Sequence, residues 1–167
     1  MGTIEAIYSK MDQIPNGMSP SIMQKFTATN RYDSTNSKAT VIIAYKLPAD
    51  TLLDSQVICT VAGAQIRRSS TAYPETETDG DLVTTVHPVY ALSSPLEGTY
   101  TDTSVELGVT YYYAAFPYSD QGVFTRNQQS RAEVTTKKYA FLYGYDKAEP
   151  GQSTTTCITY PSDVQNA

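Results

Sequence analysis

One histidine, two cysteines and a bunched set of carboxylates are the groups in this sequence whose chemistry could serve catalysis or metal binding. His87 stands beside Pro88, and any Ser-His-Asp or Cys-His relay would have to be built on it, yet no GxSxG text is present. It reads as a solvated loop residue. Cys59 and Cys157 lie far apart and outside any CxxC spacing, which supports neither a zinc site nor a redox motif. A bridge between them is open, but Cys59, flanked by Ile58 and Val61, also suits a small core position, and two reduced thiols are expected. Glu75, Glu77, Asp79 and Asp81 alternate through one segment and precede or flank Gly80, imitating the first half of a calcium loop. Counted from Glu75, the twelfth position is Val86 instead of a bidentate Glu, so the expectation is a hydrated turn. The same bunching argues against a glycosidase, whose two carboxyls flank a sugar from opposite sides. The reading is a non-enzymatic protein with no cofactor.

Composition narrows the partners. A net charge of −5 over 167 residues provides no clustered Lys and Arg for phosphate, so no nucleic-acid partner is expected. Met1 to Lys10 has neither a basic start nor an apolar run, and no stretch reaches membrane-spanning length. The expectation is therefore neither a secretory signal nor membrane insertion.

The elements that would hold such a protein together are strands. Gly98 to Asp120 places an aromatic run after a turn at Gly108, with Val105 six residues before Tyr111. This suggests a tyrosine corner, in which a ring enters the core while its hydroxyl returns to upstream backbone. Strands are expected over Lys25 to Thr29, Val41 to Tyr45, the second half of Val57 to Arg68, Leu82 to Val86, Thr99 to Thr103, Tyr111 to Tyr118 and near Arg131 to Lys137. The turn formers of Asn30 to Lys38 and the pair Asp79-Gly80 separate them. The fold class is all-β, an immunoglobulin-like or fibronectin type III sandwich.

Alternation assigns the faces. Val41, Ile43 and Tyr45 share one, Ala64 and Ile66 point inward with Gln65 and Arg67 outward, and Tyr111, Tyr113 and Ala115 enter the core. Tyr112, Ala114 and Phe116 then face out. Tyr112 and Phe116 form a candidate surface for protein contacts or sugar stacking, or else they lie beneath a neighbouring strand or the C-terminal segment.

These signals divide the chain into three regions. Residues 1–24 form an irregular arm interrupted by Pro15, Asn16-Gly17 and Pro20, with Ile4, Ile7, Tyr8 and Met11 at i, i+3, i+4, i+7 spacing for a short helix. That stripe either packs on the sandwich or docks on a partner or on copies of the chain. Residues 25–138 make the sandwich, and residues 139–167 a hairpin-like start of a second module.

The runs Ile66-Arg-Arg-Ser-Ser, Tyr73-Pro, Asp79-Gly-Asp-Leu-Val, Gly98-Thr-Tyr-Thr-Asp and Thr110-Tyr-Tyr-Tyr-Ala-Ala-Phe-Pro-Tyr resemble, in order, the fibronectin type III-like domains of bacteriophage and prophage virion proteins. The tail, Tyr143-Gly-Tyr-Asp and Ile158-Thr-Tyr, is similar to the segment C-terminal to those domains in long tail or fibre proteins. The chain departs from the family where a core Trp is usual, offering Tyr45-Lys-Leu-Pro48 and no Trp at all. The resemblance implies a tail, fibre or decoration protein, assembled in the bacterial cytoplasm and carried in the virion. Its implied partners are other virion proteins, further copies of itself and a host cell-surface glycan. A bacterial adhesion or carbohydrate-binding module, or an accessory domain of a cell-wall hydrolase, are the alternatives.

Overall fold

The period-two pattern of Val, Ile, Thr and Tyr becomes strand, and the described residues contain no helix. The computed structural model describes residues 17–126, 129–145 and 155–161, with side chains described over 17–126 and 129–138. In chain order the strands are β1 (Lys25–Asp33), β2 (Lys38–Lys46), β3 (Thr51–Leu53), β4 (Gln56–Cys59), β5 (Val61–Ser69), β6 (Asp81–Val86), β7 (Glu97–Asp102), β8 (Thr110–Ser119), β9 (Arg131–Thr135), β10 (Tyr139–Tyr145) and β11 (Thr155–Pro161).

Seven of these strands make two antiparallel sheets, ordered β1-β2-β7 and β6-β5-β8-β9. One core joins them, with Val41 and Ile43 from β2 meeting Ala64 and Ile66 from β5, Val86 from β6, and Tyr111, Tyr113 and Ala115 from β8. Ile43 and Ile66 are wholly buried, and each contributes roughly 1.5–3 kcal/mol. The result is an all-β fold of the sandwich type. Tyr45 is half-buried and packs against this core across Gly98, where an added Cβ would collide with its hydroxyl. Glycine on β7 is what lets a tyrosine lie where the sheets close.

The strand expectations hold with three corrections. β1 continues through Asn30–Asp33, because it pairs residue by residue with β2 up to Asp33↔Lys38, and the Asp33 carboxylate accepts the Thr35 amide at 2.9 Å to close the turn. Val57 to Arg68 holds two strands instead of one. Its first part, β4, pairs back on β3 through a two-residue turn whose central residues, Asp54 and Ser55, both have positive φ. Such turns usually declare themselves by Asn-Gly or Asp-Gly, and here no glycine marks the hairpin. Third, Met23 falls inside the expected arm of residues 1–24 yet is a core residue, its amide donating to the Ser130 hydroxyl at 3.1 Å.

β10 and β11 pair with each other, Tyr143 opposite Cys157, as a separate two-stranded ladder. The stripe Ile4, Ile7, Tyr8 and Met11 lies outside the described residues.

Candidate functional site

The outer face of β8 carries the residues singled out for contact, and the 70–80 segment between β5 and β6 lies over part of it. Tyr73 sets its ring edge-on against Tyr112 with centroids 5.0 Å apart, and the Arg131 guanidinium from β9 stacks 5.0 Å from the Tyr73 centroid. Arg131 also bonds the Glu75 carboxylate at 2.8 Å, and Arg126 grips Glu77 through Nε at 2.7 Å and Nη2 at 2.5 Å. Asp79 accepts the amides of Glu75 and Thr76, each at 3.0 Å. The acidic segment is therefore held by its own charges, one carboxylate after another. The Arg126 fork holds the Glu77 carboxyl below its usual range, while burial, with Glu133 nearby, pushes the Tyr73 phenol up.

The expected outward set needs correction here. Phe116 is 3% exposed and Ala114 2%, so neither offers a contact surface; Tyr112 is half-buried beneath Tyr73. Alternation names the face a residue points to, and cannot say what covers that face. Of the two proposed contact residues on β8, Phe116 is closed off and Tyr112 keeps only part of its ring.

Beneath this layer sits a charge cluster that the sequence did not announce. Asp102, at the end of β7, is 2% exposed and accepts from Arg68 Nη1 of β5 at 2.8 Å and from the Tyr113 hydroxyl of β8 at 2.8 Å. The Ser104 amide and hydroxyl complete its shell at 3.0 and 2.7 Å. Arg68 in turn reaches the Ser104 carbonyl at 3.1 Å and stacks 4.9 Å from the Tyr111 centroid. Burial alone would raise the Asp102 pKa, but Ser104, Tyr113 and Arg68 outweigh it and hold the carboxyl below its ordinary value. Burial likewise disfavours the Arg68 cation, and Asp102 with Tyr113 more than restores it. The Tyr113 hydroxyl is pushed well up by burial and by the carboxylate it serves. The cluster ties the three-stranded sheet to the four-stranded one, and its polar atoms face one another.

Tyr111 forms the expected corner, its hydroxyl accepting the Glu106 amide at 2.9 Å after the positive-φ turn at Gly108. His87 is exposed, and its Nδ1 lies 2.9 Å from the Ala62 carbonyl, which requires the proton on that nitrogen. Cys59 is a buried free thiol donating to the Met18 carbonyl at 3.4 Å, its pKa raised by burial and by Asp120 and Asp50. Among the described residues no group of three His, Cys, Asp or Glu side chains could hold a metal ion. A shallow groove of about 360 Å³ crosses the three-stranded sheet, lined by Arg31, Tyr32, Asp33, Thr40, Ile42 and Thr101.

Comparison of this chain with family models, curated proteins and solved structures finds no match.

Proposed function

We propose that the chain is a structural module of a bacteriophage virion, a fibronectin type III-like domain without enzymatic activity that joins or decorates a tail or fibre. The observation that carries this reading is the division of seven strands into β1-β2-β7 and β6-β5-β8-β9, with Tyr111 as the corner between the sheets. It supports the fibronectin type III assignment, from which the virion role follows by the resemblance of the Arg67-Arg68, Asp79-Gly80, Tyr100-Thr-Asp102 and Tyr111-Tyr-Tyr113 segments. Three of those segments have a physical reason to recur together: Arg68, Asp102 and Tyr113 are the three members of the buried cluster.

The non-enzymatic part rests on the same cluster. Its carboxylate, guanidinium and phenol are each engaged by the others, and Glu75, Glu77 and Asp79 are engaged on the surface. Groups committed to internal partners serve rigidity, the property that a particle component needs. Mass spectrometry of purified particles tests the proposal. The chain is expected as a stoichiometric component, and particles of full composition that lack it refute the assignment.

A further inference from the structure

The 70–80 segment lies on the four-stranded sheet without joining its ladder. Pairing of β5 ends at Ser69↔Tyr112 on one side and at Arg68↔Asp81 on the other. Among the described residues the backbone-to-backbone bond of the segment, from the Asp79 amide to the Thr76 carbonyl at 3.1 Å, closes on the segment itself. Tyr73 is half-buried and Pro74 buried, while residues 78–80 are exposed. Gly80 ends the segment with φ +65, so near the Arg68 carbonyl that an added Cβ would collide with it, and glycine adopts that turn without strain. What fastens the middle of the segment to the sheet is a set of side-chain contacts.

Two ion pairs lead that set, and each has one sheltered end and one wet end. The Glu77 side chain is 15% exposed against 59% for Arg126, and Arg131 is 19% exposed against 60% for Glu75. Arg67 bonds the Gly80 carbonyl at 3.3 Å and adds its charge to the field that holds the Glu77 carboxyl down. Asp79 spends its carboxylate on the amides of Glu75 and Thr76, and Glu133 is the like charge on the facing surface, beside Tyr73. Arg131 couples charge to cover: it bonds Glu75 and stacks on Tyr73, and Tyr73 is the ring that lies on Tyr112. Loosening Glu75 from Arg131 therefore loosens the lid over Tyr112.

We propose that the 70–80 segment is an ionically latched strap, which opens as a local unit when the Glu75–Arg131 and Glu77–Arg126 pairs are screened, and which thereby controls access to Tyr112 while the sandwich stays folded. The inference is independent of the virion reading. Ion pairs with a wet end weaken as the screening length shrinks to about 3 Å in molar salt. A segment held by a few side chains opens at far lower cost than the strands beneath it. The cluster of Arg68, Asp102 and Tyr113 lies on the other face of the sheet, with Asp102 and Tyr113 nearly inaccessible to solvent, and it binds β5, β7 and β8 together when the strap lifts. Ionic strength is thus read by the strap and ignored by the core.

Hydroxyl-radical footprinting of the full chain in roughly 0.05 M and 1 M sodium chloride, read by mass spectrometry, tests this. Tyr90, which stands in solvent, serves as the reference for radical dose, and the wholly buried Tyr113 as the control for folding. Tyr73 and Tyr112 are expected to oxidise several-fold faster at high salt, with Tyr113 protected throughout. In the variant carrying Glu75→Gln and Glu77→Gln both rings should oxidise at the fast rate already at low salt, and added salt should change nothing further. Equal oxidation of Tyr112 at the two salt concentrations in the wild-type protein overturns the proposal. So does a rise of Tyr113 in step with Tyr112, since the opening would then be global. A variant that keeps the wild-type salt response removes the two ion pairs as the latch.

Discussion

The two connections on either side of β6 are of similar length and opposite character. The 70–80 segment is rich in acid and polar groups, yet it is fastened to the sheet by Tyr73 on Tyr112, Glu75 on Arg131 and Glu77 on Arg126. The 87–96 segment is rich in apolar residues, yet Val89, Tyr90 and Leu92 stand in solvent. Polarity alone would have ordered them the other way. What separates them is the presence of complementary partners: β8 and β9 and the connection between them present Tyr112, Arg131 and Arg126 to the first, whereas the second is anchored at its two ends, by His87 on the Ala62 carbonyl and Tyr118 and by Leu96 against the core, while its middle is bonded through its own backbone, Val89 to Pro95 and Leu92 to Val89. Surface charge becomes ordering when a fixed opposite charge lies within reach, and apolar residues remain exposed when nothing apolar does.

The largest effect that sharpens this contrast lies in the cluster under the fastened side. Asp102→Asn keeps the shape but leaves buried Arg68 with only the exposed Asp81 carboxylate, 3.5 Å away, as counter-charge, and it is expected to lower unfolding free energy by about 3 kcal/mol in denaturant titration. The same group gives a pH signature. Because the folded carboxyl titrates below its unfolded value, its contribution is complete above about pH 4 and drains as pH falls through the folded pKa. The wild-type protein should lose stability on acidification below that point more steeply than the Asn variant; parallel curves would remove Asp102 as the cause.

A smaller effect is expected at the cover itself. Tyr73→Ser removes the edge contact with Tyr112 and the stack under Arg131, for a loss of about 1–2 kcal/mol, and hydrogen exchange in the 70–80 segment should rise while that of β5 does not. The smallest belongs to the other connection. Tyr90→Ser should change the unfolding free energy by no more than about 0.5 kcal/mol, and a loss as large as that of Tyr73→Ser would erase the distinction between the two segments.

Much of the fold was legible because strands with one buried face write it into the sequence. The faces of Val41 and Ile43, of Ala64 and Ile66, and of Tyr111 and Tyr113 follow from period two, and the tyrosine corner from the spacing of Gly108 and Tyr111. The β3–β4 hairpin escaped notice because Asp54 and Ser55 take positive φ without a glycine to signal it. The candidate site was less legible. Phe116 lies on the face that alternation assigned and is closed all the same, and nothing in Glu75 or Glu77 taken alone points to Arg131 or Arg126, 56 and 49 residues away. Arg68 could have been noticed as a charge in phase with Ala64 and Ile66, on the buried side of β5.

By itself the sequence determined most strands of the two sheets, their inward faces and the turns at Gly80 and Gly108, because those depend on neighbours two to six residues apart. Only the tertiary structure decided which carboxylate would be buried, which aromatic would be covered and which apolar loop would stay bare. Each of those outcomes depends on a partner brought from a distant part of the chain, and burial and charge pairing take their sign from that partner.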